Sequence, residues 1–365
     1  MAARRRGAAD DKTPEPAWPP FRRAWVIDGA GYPDVLEWPP EDPEFAERLQ
    51  AVRDCGLTGV VVTVMAFGKS SWRYDDTRFE AAKKTLADYR TVIDRYPELL
   101  MSIGGRDDLE RARRERKIGV IATMQGTEMI GEDLDRIAVY REHGMRVIQL
   151  THNLRNLVGD GSLEPGNAGL SRFGHELVER LNAERIVVDL AHGGQRTTRE
   201  GILASRQPVV ISHSGCRALA DTPRLVGDAE LKLMADRGGV VGIIFWPYLR
   251  EHGQQTADDV IRHIDHAIGV CGEDHVGIGT DLAVAPARIT PTFGEENAEG
   301  MRHAIKMGVF APDRETDTTL FPSDLNTARR FDVLAAKLAA CGYGDARIEK
   351  IIGGNFARVM GDIWG

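Results

Sequence analysis

Cysteine is sparse in this chain. Cys55, Cys216, Cys271 and Cys341 are scattered over 365 residues with no CxxC pair. That excludes a dense disulfide framework and a cysteine-built zinc module, and reads as reduced core thiols. Long apolar runs are missing as well: no segment reaches the ~18 residues that a membrane span requires. Excess positive charge is also lacking, since 47 basic residues face 55 acidic ones for a net charge of −8. Without a basic footprint, nucleic acid is not an expected partner. The opening MAARRRGAADDKTPEPAWPP carries Arg4–Arg6 but no apolar stretch after them, which argues against an export signal. The final GDIWG has no hydrophobic anchor tail. A soluble, cytoplasmic protein without a membrane partner is the expectation.

What is present is alternation. Short, nearly continuous apolar runs recur at Ala24–Asp28, Gly59–Met65, Gly119–Gln125, Met145–Thr151, Ile186–Leu190, Pro208–Ser212, Gly239–Phe245 and His275–Gly279. Such runs suit parallel strands buried on both faces. Between them lie amphipathic stretches such as FAERLQAVRDC and GHELVERLN, often ended by glycine as in Cys55-Gly56-Leu57. Eight such units predict an α/β fold closed as a (β/α)8 TIM barrel over residues 23–365, with an open doubly wound sheet as the alternative. An extra helix at Leu86–Tyr96 and a short strand at Leu99–Ile103 precede the third barrel strand. Residues 1–22, rich in Pro, Arg and Asp, read as a loosely draped tail. Residues 283–322 read as a loop-rich excursion after the eighth strand.

Polar residues where barrel strands run out read as catalytic more readily than polar residues elsewhere. Strand three ends in MQGTE with Gln125 and then Glu128; strand four ends in LTHN with His152. Strands five, six and eight end in VDLAH, VISHS and GIGTD, presenting His192, His213 and Asp281. Imidazoles and a carboxylate gathered this way suit a zinc-like divalent ion or acid–base chemistry. Trp246 and Tyr248 follow the seventh strand, where they line the mouth or merely pack. Asp189 reads as a carboxylate paired in the barrel interior.

VDLAH, PVVISHS, RALADTPR (residues 217–224), RGGVVGIIF, HVGIGTD and IEKIIGGNFARVM together resemble the membrane (renal) dipeptidase family, in order and spacing, from about Trp25 to Trp364. The resemblance implies a barrel that cleaves dipeptides with two zinc ions bridged by a glutamate. It implies that His192 and His213 hold one zinc and that Asp281 handles the proton of the attacking water. It further implies that His152 stabilises the oxyanion and that Arg224 pairs with the substrate carboxylate; Tyr248 is a candidate substrate-binding residue from its place after the seventh strand. It makes a homodimer an expectation.

The other half of the family pattern is altered. The family's His-x-Asp falls on Ala30 and Tyr32 in VIDGAGYPD, and its bridging glutamate falls on Gln125. An alanine ligates nothing, and a neutral amide makes a poor bridge between two dications. Three readings follow. One is a hydrolase with a single zinc on His192 and His213, completed by Gln125, Asp281 or water. The second is a metal-free or repurposed enzyme acting on a small carboxylate-bearing substrate. The third is a non-catalytic binder of such a molecule. Asp28, Asp34 and Glu128 are candidates for a substitute carboxylate.

Overall fold

A computed structural model describes residues 15–64 and 76–365. The strands are β1 (Ile27–Asp28), β2 (Gly31–Tyr32), β3 (Gly59–Thr63), β4 (Leu100–Ser102), β5 (Ile118–Gln125) and β6 (Met145–Gln149). They continue with β7 (Val187–Asp189), β8 (Val210–Ser214), β9 (Val240–Ile243), β10 (Val276–Ile278) and β11 (Leu282–Ala283). Every pairing among these strands is parallel. β1 pairs with both β3 and β10, and β3 pairs with β5, so eight strands close into a ring. The fold is a TIM barrel, and each of its eight strands falls within or against a predicted run. β4 lies outside the ring and pairs only with the first half of β5, while β6 pairs with the second half.

Alternation along the strands explains why continuous apolar runs are needed. Val61, Ile121, Val147, Val187, Val210 and Val240 join Ile27 in an inner cluster. Val60, Val62, Val120, Val188, Ile211 and Val241 face the surrounding helices. A half-buried strand would make one of these two sets polar. The inner cluster is closed from below by the C-terminal helix, Gly354–Trp364, which inserts Phe356, Val359, Met360 and Ile363. That insertion dictates two glycines. A Cβ on Gly29 or Gly277 would lie 2.5 or 2.6 Å from the Phe356 ring.

Two segments differ from expectation. The stretch read as a draped tail is docked from Ala17 onward: Asp332 accepts from the Ala17 and Trp18 amides, and Trp18 and Phe21 are buried. The stretch read as loop-rich contains a helix, Phe293–Lys306. Its apolar residues Met301, Ala304 and Ile305 do recur at helical spacing, but Gly294, Gly300 and the flanking Pro291 and Pro312 give the segment the composition of a loop. Met65, the last residue of one predicted strand, lies outside the described residues. Among the described residues, no helix is long and apolar enough to cross a membrane.

Candidate active site

A cavity of about 540 Å³ opens at the C-terminal ends of the strands. Gln125, His152, His192, Arg224, Tyr248 and Asp281 all line it. His213 lies directly behind His192, fully buried. Trp246 and Tyr32 contribute to the wall, as does the unexpected helix, through His303 and Ala304.

The histidine pair is the tightest feature. The Nε2 atoms of His192 and His213 are 2.9 Å apart. His192 Nδ1 lies 2.7 Å from the Asn153 side-chain oxygen, an acceptor, so that nitrogen carries the hydrogen. His213 Nδ1 lies 2.7 Å from Ser212 Oγ, whose own hydrogen is donated to Asp189 Oδ2 at 2.5 Å. Ser212 Oγ therefore accepts from His213 Nδ1. Both Nε2 atoms then present lone pairs to each other, which is unfavourable unless a proton or a metal cation lies between them. Burial, reinforced by the Arg224 cation, holds both imidazoles well below their ordinary pKa, which disfavours the proton. Two neutral imidazoles, each oriented by a second hydrogen bond, are the donor set that zinc favours. Among the described residues, no group of three or more His, Cys, Asp or Glu is arranged to hold an ion.

Two buried carboxylates hold the strand ends by the same device. Asp189 Oδ1 accepts from the amides of Ala191 (3.0 Å) and Ser212 (2.9 Å), and its Oδ2 accepts from Ser212 Oγ. Asp28 Oδ1 accepts from the amides of Ala30 (3.2 Å) and Thr280 (2.8 Å), and its Oδ2 accepts from Thr280 Oγ1 at 2.6 Å. The first clamp ties β7 to β8 next to His192 and His213. The second ties β1 to the end of β10 next to Asp281. A register shift between Ile211 and Ser214 re-aims the end of β8 at His213. Asn153, His192 and Asp281 each have φ near +60°, a left-handed conformation that non-glycine residues adopt at a cost. All three sit at this mouth.

Electrostatics divide the remaining groups. Arg224 is buried; its Nη2 donates to the His213 carbonyl at 3.0 Å, while Nε and Nη1 have no hydrogen-bond partner. A buried guanidinium with free donors on a cavity wall is built to receive an anion. Tyr248 packs its ring 5.7 Å from that guanidinium and stacks between Trp246 and Phe310. Burial pushes the Asp281 carboxyl up to about 7, with Arg224 opposing and Asp28 adding to the rise. His152 stacks on His192 with ring centres 4.3 Å apart, and burial with the Arg224 cation lowers its pKa to about 4.

Ala30 and Tyr32 lie across the mouth from the histidines. Ala30 is buried; its carbonyl accepts from the Asp281 amide at 2.7 Å. The candidate replacement carboxylates are engaged elsewhere. Asp28 serves the clamp, Asp34 is paired with Arg48 at 2.7 Å, and Glu128 turns back beneath Gly126 near Asn156. Sequence reasoning missed Asn153, Ser212 and Thr280. Each is adjacent to a recognised site residue, and its signal would have been a hydroxyl or amide beside a strand-end ligand.

The sequence model for membrane dipeptidase, peptidase family M19, matches residues 47–290. An uncharacterized protein in the pqqA 5' region of Klebsiella pneumoniae is 29% identical over 269 residues, 70% of this chain and 86% of that protein. Dipeptidase verJ of Clonostachys rogersoniana is 27% identical over 293 residues, 79% of this chain and 67% of that protein. Among solved structures, an amidohydrolase from Pseudomonas aeruginosa matches with a TM-score of 0.76 at 28% identity, over 94% of this chain and 98% of that one. A metallopeptidase from Rhodobacter sphaeroides, liganded with a phosphinate mimic of the dipeptide L-Ala-D-Ala, shares the fold with a TM-score of 0.73 at 19% identity, over 94% of this chain and all of that one. With a family model spanning both histidines, the aspartate and the arginine of the mouth, the chain belongs to the membrane dipeptidase family of hydrolases.

Proposed function

We propose that this protein hydrolyses a dipeptide or a related small amide with a single divalent ion, zinc by preference, held on His192 and His213. The observation that carries this reading is the pair of His192 and His213 Nε2 atoms 2.9 Å apart, each ring held at Nδ1 by a neighbouring side-chain oxygen. The remaining coordination falls to Gln125 or water, since Ala30 offers no donor and the neutral Gln125 amide makes a poor bridge between two dications. When bound, the ion supplies Lewis-acid polarisation and lowers the pKa of water.

The chain's own residues do the rest. Arg224 binds the substrate carboxylate through Nε and Nη1, orienting the amide in the cavity. Asp281, whose carboxyl burial raises to about 7, has the proton affinity a general base needs near neutral pH and takes the proton of the attacking water. His152 is neutral at that pH and offers an N–H to the carbonyl oxygen as it gains charge. Tyr248 and Trp246 form an apolar wall beside the substrate.

Metal analysis of the purified protein tests the reading. About one zinc per chain is expected, lost in His192→Ala, together with turnover of a dipeptide panel that includes D-residues at the C-terminal side. No metal after incubation with zinc would sink it. Tight association of the panel without any product would favour a binder.

A further inference from the structure

A second, larger cavity lies at the opposite end of the barrel. It encloses about 770 Å³ and is lined by seven arginines against two carboxylates, Glu110 and Asp362. Three segments supply the arginines. Arg22 and Arg23 come from the turn before β1. Arg106, Arg113, Arg114 and Arg116 come from the helix Arg106–Glu115 and its end, and Arg358 comes from the C-terminal helix. A chain of net charge −8 has no general surplus of cations to place there. Arg22 pairs with Glu15 at 3.4 Å, Arg106 with Glu110 at 3.2 Å and Arg113 with Glu349 at 3.0 Å, which leaves Arg23, Arg114 and Arg358 as the surplus charge that a bound anion would neutralise.

Two of the guanidiniums are held by backbone carbonyls as well. Arg358 donates to the carbonyls of Gly238 and Asp274 at 3.1 and 2.8 Å, contacts that orient its fork without cancelling its charge. Arg113 donates to the Arg23 carbonyl, pairs with Glu349 at 3.0 Å and lies 4.7 Å over the half-buried Trp25 ring. Arg23 and Arg114 stand exposed beside them. The planar forks of Arg23 and Arg114 match the tetrahedral oxygens of phosphate groups, while Arg113 and Arg358 add charge from fixed positions. The volume suits a small organic ligand, whereas an extended nucleic acid would need a basic stripe.

We propose that this basal cavity binds a small polyanion bearing two or more phosphate groups. The proposal does not depend on the reaction at the other end. Calorimetric titration of the full chain with inorganic triphosphate, ATP and citrate at about 150 mM salt tests it. One saturable site per chain for triphosphate or ATP is expected, weakening as salt rises. The Arg23→Glu/Arg114→Glu variant should weaken it at least tenfold. Both side chains are exposed, so an unchanged melting temperature without ligand separates lost binding from lost fold. Absence of saturable binding to about 1 mM would overturn the proposal. So would binding that the charge-reversed variant retains, citrate binding as tightly as triphosphate, or a short oligonucleotide binding more tightly than either.

Discussion

On one side of the barrel mouth Asp189 pins Ser212 and so presents His192 and His213; on the other Asp28 pins Thr280 and so presents Ala30 and Asp281. The two clamps match bond for bond: two backbone amides on one carboxylate oxygen, one hydroxyl on the other. What they deliver differs. The first positions two buried imidazole nitrogens, the second an alanine methyl and a carboxyl that burial raises to about 7. The scaffold at a strand end and the side chain it presents are thus separable. The Asp28 clamp uses only the backbone of Ala30, so its hydrogen bonds do not depend on which side chain stands there.

The largest effect should come from breaking the donor side itself. His213→Ala removes one of two facing lone pairs, and we expect loss of bound zinc and of dipeptide turnover below detection, measured by elemental analysis and product assay. Retained zinc would show that the pair is not the metal site. The reverse experiment sharpens the comparison on the other side. Ala30→His with Tyr32→Asp and Gln125→Glu places a ligand set on the Asp28 clamp. If the backbone there is already positioned, the ion content should rise from about one to about two per chain. An unchanged content would mean that the clamps differ in geometry as well as in cargo.

How much of this was legible before the structure follows from the kind of signal each part leaves. The eight strands were legible because strands buried on both faces leave continuous apolar runs; Val60, Val61 and Val62 serve both clusters in three consecutive residues. The strand-end residues His152, His192, His213 and Asp281 were legible from their position at the ends of those runs. The helix Phe293–Lys306 was not, although Met301, Ala304 and Ile305 keep its period, because its glycines and the prolines on either side resemble a loop in composition. Nor were the clamps, although Asp189 read as an interior carboxylate. Their partners are backbone amides and single hydroxyls of distant segments, as with Asp28 and Thr280, separated by 252 positions. The arginines of the basal cavity escaped for the same reason, being spread over three segments of a chain whose total charge is negative.

A smaller effect distinguishes the clamps from each other. Asp189→Ala and Asp28→Ala each strand two buried amides and a hydroxyl, so each should cost several kcal/mol, at about 1–3 kcal/mol per stranded group. Denaturant titration should show similar losses. Metal affinity should not follow suit. Asp189→Ala frees Ser212, which orients His213, and loss of such a supporting group lowers affinity about 10–100-fold. Asp28→Ala should leave zinc affinity within a few-fold of the parent. Equal losses of affinity would show that both clamps hold the histidine pair through the barrel as a whole.

The pH dependence of stability gives the finest comparison. Burial pushes Asp28 from an ordinary 3.8 to about 7, against its hydrogen bonds to Thr280 and Ala30. In the unfolded chain the same carboxyl ionises near its ordinary value. Between about pH 4 and pH 7 the folded protein therefore binds more protons than the unfolded one, and stability falls as pH rises. The fall is about 4 kcal/mol for a shift of some three units at 1.36 kcal/mol per unit. Asp281 carries a similar rise, while His152, His192 and His213, all held below their ordinary value, pull the slope the other way in the lower part of this window. Asp28→Asn removes one falling contribution, so the slope of stability against pH should become more positive than the parent's, whatever the change does to the absolute stability. Asp281→Asn should remove the other and, in addition, the turnover. If Asp28→Asn leaves the slope intact, the Asp28 carboxyl is already ionised within its clamp, and the hydrogen bonds from Thr280 and Ala30 outweigh burial at this end of the mouth.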